Sequence, residues 1–287
     1  MKSADKKASG VLTLHLAVLF FGLSGVIGKW VNVPAVSVAW GRSLCSSVIL
    51  LAFIRAKGVS LKLLLKSDYI LALIGGVILA LHWTTFFLSI KTSSVAIGTI
   101  TFSAFPLFVT FIEPLVFRER LEKRDVFLAA MMLAGVAVTV PMSSIGGLSA
   151  IGAAWGLVSS AAYAALSLIN RYLASKYKSV QICFYQQFSA AVVLLPFVLL
   201  SKTVWRAYDI AGVLAIGIFC TALAFSLFVS AQRHVKAKTA GIVSGMETVY
   251  GIVFASLLLG ERPEIRELLG GVIILASAMA STLKKER

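Results

Sequence analysis

The chain has 287 residues, 59% of them hydrophobic and 14% charged, with a mean hydropathy of +0.93 and a formal net charge of +15. A soluble domain carries roughly 25% charged residues; this much apolar surface suits lipid as the solvent instead and leaves no room for a soluble domain. The basic charge, once placed along the chain, speaks for membrane orientation and anionic lipid and against nucleic acid as a partner.

A helix crosses a bilayer in about 20 apolar residues, and ten such segments are expected, at about 10–28, 34–54, 69–89, 93–113, 126–142, 149–170, 180–200, 210–231, 239–259 and 267–283. The first follows Lys6 and Lys7 and has the outline of a signal peptide, but nine further spans argue that it is retained. It carries Gly22, Gly25 and Gly28 at intervals of three, small residues that let helix backbones approach. Span 2 holds Arg42, a charge that needs an anion, carbonyls or water inside the bilayer. We expect a structural or gating role for it on a peripheral helix; a substrate carboxylate, an ion pair with Glu247 and snorkelling are the alternatives. Span 3 carries His82, Trp83, Thr84 and Thr85. His82 is a possible proton carrier or a plainly hydrogen-bonded histidine.

On span 4, Thr99, Ser103, Pro106, Thr110 and Glu113 fall on one helical face, and Pro106 is a candidate hinge. On span 6 the same holds for Ser160, Tyr163, Ser167 and Asn170, and span 9 offers Ser244, Glu247 and Gly251. Polar faces in a membrane point at protein or at a watery cavity. Ordinary helix–helix hydrogen bonding explains any single Ser or Thr; as a set, the faces point to a cavity. Glu247 lies near the middle of span 9, where a carboxylate either serves function or is structurally paired. Its functional reading is a group that holds a substrate amine or carries a proton. Trp83, Phe86, Tyr163 and Tyr250 are candidates for an aromatic wall.

With the N-terminus inside, 20 of the 27 Lys and Arg flank the inner face and 6 the outer, Arg42 lying within a span. That is the positive-inside bias and places both termini in the cytoplasm. The halves also align at an offset of 142: Glu119–Arg120 falls on Glu261–Arg262, and Phe21–Val31 falls on Tyr163–Leu173. Five spans per half is an odd number, so the second half (146–287) enters the membrane inverted relative to the first (1–145). Inverted repeats around a midplane site are typical of secondary transporters. The mate of Glu247 is Phe105, so symmetry of the fold does not require a carboxylate there.

The stretches "LLLGERPE" at the end of span 9, "LVFRERLEKRD" after span 4, Phe105–Pro106 and "METVYGIVFASLLLGE" resemble the EamA-type transporters of the drug/metabolite transporter superfamily. Thr248 departs from the proline usual after that family's glutamate. The resemblance covers nearly the whole chain. It implies an all-α membrane protein of ten helices in two inverted five-helix repeats, a cavity lined by spans 1, 3, 4, 6, 8 and 9, and solute transport, often export of amino acids or other metabolites.

No Gly-rich phosphate loop is present, which argues against direct ATP drive, and Cys45, Cys183, Cys220 and the three histidines have no metal-ligand spacing. The expectation is an inner-membrane secondary transporter that works by alternating access, without cofactor or enzymatic activity. Its partners would be a small-molecule substrate, membrane lipids and a proton or other coupling ion. The substrate-binding set is Glu247, His82, Trp83, Thr99, Ser103, Tyr163, Ser167 and Tyr250, with Arg42 as gating charge and Pro106 as hinge. A lipid flippase of the same fold and a non-transport membrane enzyme or assembly protein are the alternatives; monomer and homodimer stay open.

Overall fold

The computed structural model describes residues 3–117, 123–139, 147–232 and 237–282. Helices occupy each of the expected segments: α1 (Ser3–Trp30), α2 (Ala35–Ala56), α3 (Lys66–Thr92), α4 (Val95–Phe102), α5 (Phe105–Phe117), α6 (Lys123–Thr139), α7 (Leu148–Ala174), α8 (Ser179–Leu200), α9 (Ala207–Ala215), a π-helical turn (Ile216–Leu223), α10 (Ala224–Ala231), α11 (Ala237–Leu258) and α12 (Ile265–Thr282). No strand occurs among the described residues. Among the described residues, seven helical stretches are long and apolar enough to cross a bilayer, including Val95–Ile112 and Ala207–Ala231. Helix α6 has 17 residues and α12 has 18, short of a full perpendicular span, and the apolar part of α11 is Val243–Leu258. Large apolar side chains such as Leu73, Val77, Leu81, Val192 and Phe197 face outward, a surface that suits lipid.

The packing follows the 142-residue offset. Helix α1 runs along α11, and its counterpart α7 runs along α4 and α5, the counterparts of α11. Helix α3 lies on α7, as the α9–α10 rod lies on α1; α2 pairs with α8 and α6 with α12, each with its own counterpart. Glycine sets the closest approaches. A Cβ at Gly22 would stand 2.7 Å from that of Tyr250, and one at Gly28 would stand 2.2 Å from the Phe87 ring. The spacing of small residues on α1 thus reports contacts that admit no side chain.

Span 4 is broken. The face expected to run from Thr99 through Glu113 is interrupted at Ser103–Ala104, just before Pro106. Proline lacks the N–H that would bond the Phe102 carbonyl four residues back, and the Ser160 hydroxyl of α7 donates to that carbonyl instead, at 3.1 Å. The two ends of the bundle are tied differently. At one, Lys29 Nζ donates to the Ile90 and Ser93 carbonyls at the end of α3, and Lys91 Nζ donates to the Val31 carbonyl beyond α1, each at 2.7 Å. Glu261 Oε2 there accepts the Val95 N–H at the start of α4, at 3.0 Å. Cations at helix C-termini and a carboxylate at an N-terminus complement the helix dipoles. The Glu–Arg pair at 119 and 120 lies outside the described residues.

Two buried aspartates, one residue off the repeat offset, serve opposite ends. Asp209 accepts the Asn32 N–H at 2.6 Å and the Arg206 N–H at 3.1 Å. Asp68 accepts the Tyr177 hydroxyl at 2.5 Å and pairs with Lys176 at 3.3 Å. Hydrogen bonding to Tyr172 and Asp68 raises the Lys176 amine above the ordinary lysine value. Each aspartate anchors the other half's interhelical turn.

Candidate functional site

Helices α1, α2, α3, α4, α7, α10 and α11 meet around a small central cavity. Its polar lining is Ser24, Arg42, His82 and Glu247. Its aromatic lining is Phe21, Trp83, Phe86, Phe102, Tyr163 and Phe225. The volume is about 20 Å³, room for about one water. A larger groove of about 390 Å³ lies at the Lys29 end, between the α3–α4 turn and Glu261–Glu267. It is lined by residues at the bundle's end, and we place the candidate site in the buried centre, where Arg42, His82 and Glu247 converge.

The lining contains two pairs of repeat mates, Phe21 with Tyr163 and Trp83 with Phe225. The cavity therefore sits where the two halves face each other. Its ionisable groups break that symmetry: the mates of Arg42, His82 and Glu247 are Phe184, Ala224 and Phe105. The aromatic frame belongs to the repeated scaffold, and the polar groups are particular to one position each.

Arg42 is 2% exposed and lines the cavity, so α2 is not peripheral at this depth. Its Nε donates to Thr221 Oγ1 at 2.9 Å, and its terminal nitrogens donate to Ser24 Oγ and the Cys220 carbonyl, each at 3.2 Å. The guanidinium lies 3.9 Å above the Trp83 ring. Thr221 in turn donates to the Ile216 carbonyl five residues back, the spacing of the π-helical turn. Gly217 lets that turn rest on Cys45 of α2, where a Cβ would stand 2.7 Å away. Arg42 thus pins an irregular turn against the cavity. Among the described residues no ion pair joins it to Glu247; its hydrogen bonds go to α1 and the π turn.

His82 is buried among the rings of Phe86, Phe102 and Tyr163, with centroids 4.7–6.1 Å apart. Its Nδ1 lies 2.8 Å from Ser159 Oγ, which donates to the His82 carbonyl at 3.1 Å. His82 is thus a hydrogen-bonded histidine, held by α7. Glu247 is 5% exposed and faces the same space.

Of the residues expected to bind substrate, Glu247, His82, Trp83 and Tyr163 converge, and four do not line the cavity. Thr99 and Ser103 serve the α4–α11 contact: Thr248 Oγ1 donates to the Thr99 carbonyl at 3.0 Å and is hydrogen-bonded to Ser103 Oγ. Thr248, which stands where the resemblance leads one to expect proline, thereby has a packing role. Ser167 accepts from Gln232 at 3.1 Å, away from the cavity. Tyr250 packs its Cβ against Gly22. Pro106 is buried beside the break in span 4 rather than on a continuous helix. Phe21 and Phe225 were missed, although the offset from Tyr163 and Trp83 points straight to them. Ser24, Phe102 and Thr221 carry no sequence signal of that kind.

The profile of the EamA-like transporter family matches residues 8–140 and again 150–283. The chain belongs to that family. Its two matches coincide with the two packed repeats, and together with the apolar helices they make it a multi-pass membrane transporter of the drug/metabolite superfamily. An uncharacterized transporter of Bacillus subtilis, YxxF, is 24% identical across 99% of this chain and 93% of its own length. The pseudopaline exporter CntI of Pseudomonas aeruginosa is 25% identical across 98% of this chain and 99% of its own length. One crystal structure superposes with a TM-score of 0.70 over 96% of this chain and 97% of the other, at 19% identity, a likeness of fold.

Proposed function

We propose that the protein is a secondary transporter that exports a small zwitterionic metabolite, an amino acid or related solute, across the inner membrane by alternating access. The observation that carries this is the asymmetric charge in a symmetric frame. One guanidinium and one carboxyl, not paired with each other, line the same buried cavity between the repeats. A guanidinium has five N–H donors. Three hydrogen bonds from Arg42 leave two N–H groups for a solute carboxylate, and Glu247 supplies the complement for an amine. Trp83, Phe86 and Tyr163 enclose the solute's carbon skeleton. A proton or other ion coupled through Glu247 completes the reading.

In this reading all ten segments cross the membrane, in two inverted units of 1–145 and 146–287. Both termini lie in the cytoplasm, as the Lys and Arg distribution directs. The Lys29–Glu261 end then faces outward. That end is tied shut and the centre holds about one water, so the form described is closed outward around a collapsed site. The outward direction of transport is supported by the relative named as an exporter. The test is excretion from cells that overproduce the protein and are fed dipeptides. Release of one amino-acid class above that of cells carrying Glu247→Gln supports the proposal. Release equal to empty cells across the panel, with the protein present in the membrane, counts against it and turns attention to lipid scrambling.

A further inference from the structure

A second buried polar cluster lies on the other side of the aromatic lining, and the central site does not use it. Ser167 and Asn170 follow Tyr163 by one and two turns on the same face of α7. Gln186 Nε2 of α8 donates to Asn170 Oδ1 at 2.7 Å, and Gln232 Nε2, at the end of α10, donates to Ser167 Oγ at 3.1 Å. Gln187 stands beside Gln186 on α8. All four amide side chains are buried, none above 4% exposed.

Among the described residues, Asn170 Nδ2, Gln186 Oε1, Gln232 Oε1 and both polar atoms of Gln187 have no hydrogen-bond partner. Buried amides are normally satisfied, and leaving them bare in an apolar surrounding is costly. Leucine would fill a dry core of this volume at no such cost. Five unsatisfied amide atoms on three helices therefore call for partners outside the protein's own groups.

Two further features give the cluster a direction. Phe228, one turn before Gln232, lies 5.9 Å from the Tyr163 ring and 5.6 Å from the Phe21 ring. These three rings separate the amides from the Arg42–Glu247 cavity. Toward the Asp68 end, Asn170 is one turn from the end of α7, and Gln232 closes α10. The opposite end of the bundle is the one tied by Lys29, Lys91 and Glu261.

We infer that Asn170, Gln186, Gln187 and Gln232 line a hydrated vestibule through which a polar solute reaches the central cavity from the α7–α8 end, with Tyr163, Phe228 and Phe21 as the floor between the two. Amides offer donors and acceptors without charge, so the vestibule takes neutral polar and zwitterionic groups and leaves discrimination by charge to Arg42 and Glu247. The route rests on the transport reading; the hydration does not.

The test is thiol labelling in membrane vesicles of both orientations, after Cys45, Cys183 and Cys220 are replaced by alanine. A membrane-impermeant cationic methanethiosulfonate is the probe. From the face that carries the α7–α8 turn, Gln187→Cys, Gln232→Cys and Asn170→Cys should label at least ten-fold faster than Val192→Cys, which is 54% exposed on the outside of α8. From the other face they should label no faster than Val192→Cys. Rates within two-fold of Val192→Cys from both faces, with Lys178→Cys in the α7–α8 turn reacting normally, would overturn the inference. So would labelling from the other face alone. Three positions keep the test decisive if one variant fails to fold. Labelling without flux of any solute leaves the vestibule standing and removes the transport reading, and flux without labelling does the reverse.

Discussion

Replacing Arg42 by methionine removes three hydrogen bonds and a stacking contact in one step. Hydrogen bonds that involve a charged group contribute about 1.5–3 kcal/mol each, and the contact with Trp83 adds about 1 kcal/mol. Against this, the variant no longer holds a charge at bilayer depth, which returns about 3 kcal/mol. The net loss is about 2.5–7 kcal/mol, or at least about 5 °C in melting temperature for a chain of this size. Arg42→Lys keeps the charge, but a single ammonium cannot reach Thr221, Ser24 and the Cys220 carbonyl in the same fork, so it should fall between. Unfolding in lipid nanodiscs, followed by tryptophan emission, reads both stability and the environment of Trp83. Arg42→Met melting at or above the wild type, with unchanged emission, would refute the assignment of Arg42 to the pinning of the π turn.

The remaining predictions concern the helix contacts. Gly156→Val should lose about 1–3 kcal/mol through overpacking, since a Cβ there would overlap the Thr101 hydroxyl, 1.8 Å away; the melting temperature checks it. Ser160→Ala strands the Phe102 carbonyl and should cost about 1–3 kcal/mol. Adding Pro106→Ala restores an N–H for that carbonyl, and recovery in the double variant distinguishes this cause from simple loss of packing. Glu261→Ala removes the carboxylate at the start of α4 and should cost about 1 kcal/mol. The same variant should raise thiol labelling of Ser94→Cys from the face that carries Lys29 and Glu261, and an unchanged rate would mean that the tie does not hold this end shut.

The sequence was most informative where one physical signal repeats. Helix positions follow from runs of apolar residues, and the repeat follows from the 142-residue offset, both visible without coordinates. Glu247, His82, Trp83 and Tyr163 were legible because polar or aromatic groups on apolar helices stand out. Thr99, Ser103 and Ser167 do not line the cavity, for the reason that makes such residues common in membranes. A hydroxyl on a helix bonds its own backbone or a neighbouring helix as readily as a solute, and each of these three does. The break at Ser103–Ala104 also divides span 4 into two helices, so a face counted at regular spacing along one helix does not describe it. Arg42 was read as peripheral because a single helix carries no information on its neighbours. Its reach across to the π turn depends on Gly217 and Cys45 meeting, a contact between residues more than 170 positions apart. Asp68 and Asp209 look like ordinary helix-start acids, and only the fold shows that each secures a turn from the other half.

Solute binding in the Arg42–Glu247 cavity makes exchange depend on the Glu247 carboxyl. Counterflow in proteoliposomes, with a panel of labelled amino acids and small metabolites and with wild type beside Glu247→Gln, tests it most directly. Saturable exchange of one zwitterionic class by the wild type, and loss of that exchange or of its pH dependence in the variant, is the expected result. Equal exchange by folded wild type and Glu247→Gln at every pH, or exchange of no soluble solute at all, would contradict it.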